Sequence, residues 1–90
     1  MSFPFSLTSP EHTLWSGEAQ EVSLRAEGGD IAFLGGHVPF IGAVRKSECR
    51  IVTAEGPEVL ASLQGGVIEV AADHSAWLAA TAGELGSAGR

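Results

Sequence analysis

The sequence predicts an all-β fold, a two-sheet β-sandwich of roughly 8–10 short strands. Apolar and polar residues alternate with a period of two in several short segments, as they do in strands that bury one face. Turn-forming residues separate these segments about every 8 to 12 residues, and glycine supplies 12 of the 90 residues. A chain of this length makes one small domain with a single core.

The N-terminal third contains two segments with this alternation. From Phe3 to Thr8, apolar residues alternate with polar ones and with Pro4, which predicts a half-buried strand. Since proline has no amide hydrogen to donate, this strand is expected at a sheet edge or to begin irregularly. A brief strand is predicted at residues 13–15, ending near Gly17. The alternation over residues 21–26 then predicts the clearest strand of the chain.

The stretch GGDIAFLGGHVP, residues 28–39, predicts a turn, a buried strand and a second turn. Paired glycines lie on both sides of a four-residue apolar run, Ile31 to Leu34. Glycine adopts the positive φ angles that tight turns need. Four successive apolar residues suit a short strand that is buried on both faces.

The second half of the chain predicts further strands separated by polar or glycine-containing turns. A buried strand at residues 40–44 precedes the polar pair Arg45 and Lys46. The sequence Glu55-Gly56-Pro57 predicts a hairpin, and Gly65-Gly66 predicts another turn. The strands that these turns connect are predicted at residues 49–53, 59–63 and 67–71.

The segment from Ala76 to Leu85 fits two predictions. It is rich in alanine, and Leu78, Ala82 and Leu85 lie at helical spacing, which favours a helix. Ala76, Leu78 and Ala80 fit the period of a strand equally well, and the preceding Asp73 and His74 are typical of a hairpin tip. The residues alone leave both alternatives open.

The charge of the chain argues against several partners. Eleven acidic residues against five basic ones give a net charge of −6, which repels nucleic acid and anionic lipid. The longest segment without Asp, Glu, Lys or Arg, Ile31 to Val44, is interrupted by glycines and Pro39 and is too short to span a bilayer as a helix. We therefore expect no nucleic-acid partner and no direct membrane insertion.

The sequence contains no arrangement typical of a reactive site. Cys49 is the only cysteine, so no internal disulfide can form, and we expect a small buried side chain. The three histidines, His12, His37 and His74, have no metal-binding spacing. A nucleophile elbow and a phosphate-binding loop are also missing. We expect no catalytic residue, no cofactor and no metal.

The order of residues 28–39 resembles the signature segment of the epsilon subunit of F-type ATP synthase. That segment runs glycine, acidic, apolar, then glycine, two apolar residues, proline, and finally Gly-His-x-Pro; Ala32 and Gly35 depart from the usual glycine and proline. The similarity extends from Phe5 to Ala82. It includes TSPEHTLWSGEAQEVSL, CRIV, LQGGVIEV and WLAATA.

This resemblance implies a non-catalytic rotor subunit in the central stalk of a bacterial F1Fo ATP synthase. Such a subunit couples rotation of the c ring to the gamma subunit during proton-driven ATP synthesis. It lies peripherally on the cytoplasmic face of the cell membrane. The resemblance also favours a strand at residues 75–80 over the helical alternative.

The same resemblance implies two sets of contact residues. A carboxylate next to a glycine turn can accept charge-assisted hydrogen bonds from basic and amide groups of the c-ring polar loops. The residues implied at the c ring are Gly29, Asp30 and Ile31. Those implied at the gamma subunit are Ser9, His37 and Gly42.

We expect the sandwich to occupy residues 1–82 and a short flexible tail to occupy residues 83–90. Glycines at 83, 86 and 89 weaken any helix there. Related subunits continue into a C-terminal helical hairpin that inhibits ATP hydrolysis. We expect this chain to lack the hairpin and its inhibitory effect.

Two other classes of protein remain as alternatives. A free-standing β-sandwich binding module for a peptide or sugar would expose an aromatic cluster, for which Trp15 and Trp77 are the candidates. We expect core or interface positions for both tryptophans. A small jelly-roll enzyme would bring the three histidines together on a metal ion.

Overall fold

The computed structural model describes residues 2–26, 29–33, 39–73 and 75–86. Within these residues the chain forms nine β-strands and no helix, which confirms the all-β prediction. The strands are β1 (Phe3–Thr8), β2 (Thr13–Ala26), β3 (Gly29–Phe33), β4 (Phe40–Val44), β5 (Ser47–Thr53), β6 (Glu58–Leu63), β7 (Gly66–Val70), β8 (Ala76–Ala80) and β9 (Gly83–Leu85).

The strands form two layers that share β2. Sheet I contains the first half of β2 with β1, β8, β7 and β4, and sheet II contains the second half of β2 with β3, β5, β6 and β9. Hydrogen-bonded pairing is continuous along β1-β8-β7-β4-β2-β5-β6-β9, and β2 also pairs with β1 and β3. The contact between β4 and β2 is one residue pair, Val44 with Ala26.

Strand β2 is longer than the sequence predicts. It runs without a break through Gly17, where we expected a short strand to end. The ring of Trp15 lies against this glycine, 3.1 Å from the point where a Cβ would stand. The ring covers backbone that glycine leaves bare, so the strand continues. A register shift between Ala19 and Glu21 then forms a bulge where β2 passes from sheet I to sheet II.

The inward-facing side chains of both sheets form one hydrophobic core. Alternation in β1 and β5 is confirmed, since Phe3, Phe5 and Leu7 are buried, as are Cys49 and Ile51. The largest fully buried side chains come from both layers and from most strands. They are Phe5, Phe33, Leu7, Ile51, Leu63, Ile68, Leu78, Val22 and Cys49.

Strand β1 lies inside sheet I and not at its edge. It pairs antiparallel with β2 and parallel with β8. The parallel pairing begins at Phe5, so Pro4 precedes it. The pairing with β2 runs without a register shift from Phe3 through Pro4, so the expected irregular beginning is not observed either; Pro4 has a partner in β2 but none in β8.

Two segments predicted as fully buried strands are exposed on one face. In β3 only Phe33 is buried, while Asp30 and Ala32 are exposed. In β4 the side chain of Ile41 is 67% exposed and Ala43 is also exposed. Among the described residues β3 pairs with β2 alone, and the outer face of β4 has no second layer over it. Leu34, predicted in the same buried run, lies outside the described residues.

The last segment is a strand, as the family resemblance implied. β8 covers Ala76–Ala80 and lies between β1 and β7. The chain then differs from the expected tail, because Gly83–Leu85 form β9 and pair with β6. A Cβ at Gly83 would come within 2.9 Å of both Leu63 and the Ser62 carbonyl oxygen, so this close approach requires glycine.

Candidate interaction surfaces

The outer face of sheet I is largely apolar. The register places Ile41, Glu69, Trp77 and Ser6 in one row across β4, β7, β8 and β1. A second row contains Ala43, Val67, Ala79 and Thr8. Ile41 is 67%, Val67 46% and Trp77 39% exposed. We call these two rows the apolar face. Glu69 is the only charged residue in them.

The outer face of sheet II is charged and internally paired. The guanidinium of Arg50 donates to Glu21 at 3.2 Å and to Glu58 at 3.0 Å, which joins β2, β5 and β6. These groups remain partly exposed, so each bond adds little stability. The two outer faces therefore differ in chemistry. The charged outer face of sheet II is suited to contact with water, and the apolar face of sheet I is suited to burial against a partner.

Two of the three residues implied at the gamma subunit lie in sheet I. Ser9 directly follows β1, and both its backbone N–H and its hydroxyl donate to the His12 carbonyl, at 2.9 and 3.2 Å. Gly42 lies in β4 between Ile41 and Ala43, and its register partner is the buried Ile68. Three strand spacings, about 14 Å, separate β1 from β4. The third residue, His37, lies outside the described residues.

The residues implied at the c ring lie at the start of β3. Asp30 pairs with Arg25 across β2 and β3, and the Arg25 Nε donates to Asp30 Oδ1 at 2.9 Å. Both side chains are largely exposed, at 61% for Arg25 and 74% for Asp30. Gly29 has a φ of +128°, and nothing lies within 4 Å of the point that a Cβ would occupy. Ile31 is half-buried and packs against the core.

An open groove lies beside Asp30. Its lining includes Arg25, Lys46 and Glu48, with Leu24 and Ile31 as apolar members. The backbone N–H of Arg45 donates to the Arg25 carbonyl at 3.0 Å, which holds the β4–β5 turn against the end of β2. Arg25 therefore pairs with the acidic residue that the sequence singled out, and Lys46 lines the same groove. The sequence analysis assigned Arg45 and Lys46 only a turn.

The two tryptophans do not form an aromatic cluster. Trp15 is half-buried and packs against the core, with its ring centroid 6.3 Å from that of Phe5. Trp77 lies on the apolar face. A core position is confirmed for Trp15. This separation is unlike the shared aromatic platform that a peptide or sugar module would offer.

Chemically reactive groups are sparse in the described part of the chain. No three His, Cys, Asp or Glu residues there are grouped so that they could hold a metal ion. His12 is exposed, and His37 and His74 lie outside the described residues. Burial raises the pKa of the Cys49 thiol to about 12, so it stays protonated at neutral pH. The described residues contain no helix long and apolar enough to cross a membrane.

Sequence reasoning missed the outward residues of β4, β7 and β8. It assigned Phe40–Val44 to the core because every residue there is apolar or glycine. A signal was present in β8, where Ala76, Leu78 and Ala80 occupy the inward positions and leave Trp77 outside. Taken together, the fold and its surfaces define a small β-sandwich with one largely apolar and one charged outer face.

Comparison with known families identifies this class of sandwich more closely. The family described as ATP synthase, Delta/Epsilon chain, beta-sandwich domain, matches residues 2–84. Because the match covers nearly the whole chain, the protein belongs to this family. The prediction from residues 28–39 and the flanking segments is confirmed.

Curated relatives carry the same description. The chain is 38% identical over 82 residues to an ATP synthase epsilon chain of Frankia casuarinae, covering 91% of this chain and 96% of that one. It is 37% identical over 82 residues to that of Micrococcus luteus, covering 91% and 89%. Identity to that of Streptomyces griseus is 38% over 73 residues, which covers 81% of this chain but 59% of the relative.

Solved structures share the fold at much lower identity. A chain of the Euglena gracilis mitochondrial ATP synthase OSCP/F1/c-ring structure superposes with a TM-score of 0.86 at 13% identity, covering 93% of this chain and 53% of that one. A chain of the Tetrahymena thermophila central stalk/c-ring structure gives a TM-score of 0.71 at 11% identity, covering 92% and 66%.

Proposed function

We propose that this protein is the epsilon-type subunit in the central stalk of a bacterial ATP synthase. It binds the gamma subunit through one surface and the polar loops of the c ring through another, at the cytoplasmic face of the cell membrane. It carries no catalytic group and couples rotation of the ring to gamma. Membership of the epsilon family supports this, as does its likeness in fold to chains of two ATP synthase rotor structures.

The observation that carries the proposal is the apolar face of sheet I. Ile41, Val67 and Trp77 expose apolar side chains that a free protein gains nothing by showing to water. Covering them with a partner releases that cost. The charged outer face of sheet II offers no such gain, so gamma docks on sheet I.

The residues implied at gamma fit this assignment. Ser9 follows β1 at one side of sheet I, and Gly42 lies in β4 at the other side, between Ile41 and Ala43 of the two exposed rows. Gamma would therefore cover the sheet from β1 to β4. His37 belongs to the same proposed contact by family resemblance.

The c ring would contact a different part of the sandwich. Gly29, Asp30 and Ile31 belong to β3 in sheet II, whereas the apolar face belongs to sheet I. The Arg25 guanidinium binds one oxygen of Asp30, and among the described residues no side-chain hydrogen bond to the other carboxylate oxygen is seen, so it can accept from a partner. Two surfaces on two layers let one small body hold two partners at once.

The mechanism depends on stiffness. A compliant joint between ring and shaft would store torque as deformation of the joint. A core packed at crystal-like density resists such deformation. The side chains of both layers meet in one such core, so rotation of one partner would be passed to the other.

A charge placed on the apolar face tests the gamma contact. Val67→Glu adds a carboxylate in the middle of the face, and burying it against gamma is costly. We expect binding to purified gamma to weaken by at least about tenfold, equivalent to about 1.4 kcal/mol. Proton-driven ATP synthesis by a complex reassembled with this variant should fall in parallel.

Leu60→Glu is the matched control, since it makes the same apolar-to-carboxylate change on the outer face of sheet II, where the register partner of Leu60 is Arg50. It should bind gamma as the unchanged chain does, and circular dichroism should show both variants folded. Gamma binding that survives Val67→Glu and is lost with Leu60→Glu would reverse the assignment.

A further inference from the structure

The basic residues of this acidic protein gather at one end of the sandwich. The sequence has five, of which Arg90 lies outside the described residues and Arg50 is paired with two glutamates. The other three are Arg25, Arg45 and Lys46. Arg45 is hydrogen-bonded through its backbone to Arg25, and Lys46 lines the same groove as Arg25 and Asp30.

Two of these cations have no ion-pair partner in the part of the chain that the structure describes. No ion pair there includes Arg45 or Lys46, although Asp30 and Glu48 line the groove with Lys46. Both side chains are exposed. Among the described residues neither Glu48 nor Asp30 forms an ion pair with Lys46, so its ammonium can bind a group of a partner.

We propose that Lys46 and Arg45 bind a carboxylate on the same polar loop that Asp30 contacts. The groove then binds the loop through both charges. Asp30 accepts hydrogen bonds from a basic or amide group of the loop, and Lys46 donates to an acidic group of the same loop. The ion pair with Arg25 holds the Asp30 carboxylate in position. This inference rests on the proposed function, since the loop belongs to the c ring proposed above.

Opposite charges at fixed positions set the register of a loop in the groove. A single carboxylate would attract any basic loop in many orientations. With a cation on the neighbouring turn, a loop of the wrong orientation places like charges together, which costs binding free energy. The groove thereby selects one orientation of the ring relative to the sandwich.

The mixture of charges favours a protein loop over an anionic lipid surface. Lipid-binding clusters typically carry about four to eight basic residues close together. Here three cations share the end with Asp30 and Glu48, on a chain of net charge −6. A lipid surface would be repelled by those carboxylates, whereas a loop with both signs can satisfy all of them.

Binding to a detergent-solubilised c ring carrying gamma tests the inference. To isolate the groove, the apolar face is kept intact and dissociation constants are compared between variants. Lys46→Gln should weaken binding about threefold and Lys46→Glu about tenfold, because the second adds repulsion. Both losses should shrink between about 50 and about 300 mM NaCl, since salt screens exposed charges.

Gln64→Glu is the matched control, because it changes the net charge as Lys46→Gln does at an exposed position in the β6–β7 turn. It should bind unchanged. If Lys46→Gln and Gln64→Glu bind equally well, the inference is wrong. Binding of the unchanged chain to phosphatidylglycerol vesicles that is lost with Lys46→Gln would also overturn it, in favour of a lipid contact.

Different results would contradict the proposed function itself. If the unchanged chain does not bind the ring with gamma at all, or if Asp30→Asn binds as tightly as the unchanged chain, the c-ring contact itself is wrong. A loss with Asp30→Asn alone leaves that contact standing and removes only the role of Lys46.

Discussion

At Gly66, β7 lies so close to the backbone of β8 that a side chain has no room. A Cβ there would stand 2.8 Å from the Cα of Ala80 and would also collide with the Ala79 carbonyl oxygen. Both contacts are backbone in a paired strand, so neither can move aside without distorting sheet I. Only glycine fits.

We therefore expect Gly66→Ala to lower the free energy of unfolding by about 2–3 kcal/mol, measured by urea denaturation. Gly56→Ala is the control, since Gly56 also has a positive φ, +115°, but nothing lies within 4 Å. It should cost only about 1 kcal/mol. Equal losses in the two variants would show that backbone conformation and not collision limits position 66.

Cys49 makes stability depend on pH in the alkaline range. Burial raises the pKa of its thiol from an ordinary value of 9.0 to about 12. Between these values the unfolded chain releases the proton and the folded chain retains it. Stability is therefore fully present below pH 9 and is lost as pH rises towards 12, by about 1.4 kcal/mol per pH unit.

Comparing the unchanged chain with Cys49→Ala isolates this effect. The variant lacks the thiol, so the difference in unfolding free energy between the two should be constant below pH 9. Above it the difference should change in the variant's favour. A difference that stays flat to pH 10.5 would mean that the folded thiol ionises normally.

At the scale of elements, the side chain of Gln20 links the bulge in β2 to the β5–β6 hairpin. The Gln20 Nε2 donates to the carbonyls of Thr53 and Ala54, each at 3.1 Å. Thr53 is the last residue of β5, and Ala54 is the first residue of the turn that connects β5 to β6. The backbone N–H of Ala54 in turn donates to the Glu18 carbonyl at 2.9 Å. Gln20 therefore fastens the hairpin to the bulge.

We expect Gln20→Ala to lower the free energy of unfolding by about 1 kcal/mol, because both bonds are near the surface. Amide exchange at Ala54 and Gly56 should quicken more than exchange in β7 or β8. Gln64→Ala is a suitable control, since its side chain has no such bonds among the described residues. If the two variants exchange alike at Ala54, the hairpin does not depend on Gln20.

Most strands could be predicted because burial imposes a period of two on them. Phe3, Phe5 and Leu7, or Cys49 and Ile51, have one apolar face because one face meets the core. β3 and β4 could not be predicted in the same way. An apolar residue on an exposed face and one that faces the core look alike in sequence, so Ile41 was assigned to the interior.

The local sequence pattern also could not predict that two expected strands form the single strand β2. Glycine at 17 signals a break unless a side chain covers it, and the covering ring of Trp15 is known only once the strand has formed. Of the site, Asp30 was found through family resemblance. Arg45 and Lys46 were missed because the turn that carries them follows Asp30 by another strand, and it is held near Arg25 by one backbone hydrogen bond.

At the scale of the whole molecule, the two layers are joined by covalent chain as well as by packed side chains. β2 belongs to both, with its first half paired to β1 and its second half to β3 and β5. If a force enters at Asp30 in β3 and leaves through sheet I, it can pass through the hydrogen bonds from β3 to β2 and then along the main chain of β2. Sliding of one layer over the other would have to rotate the backbone at the bulge and break hydrogen bonds of β2 on one side. A sandwich whose layers met only through their cores would lack this hydrogen-bonded link between them.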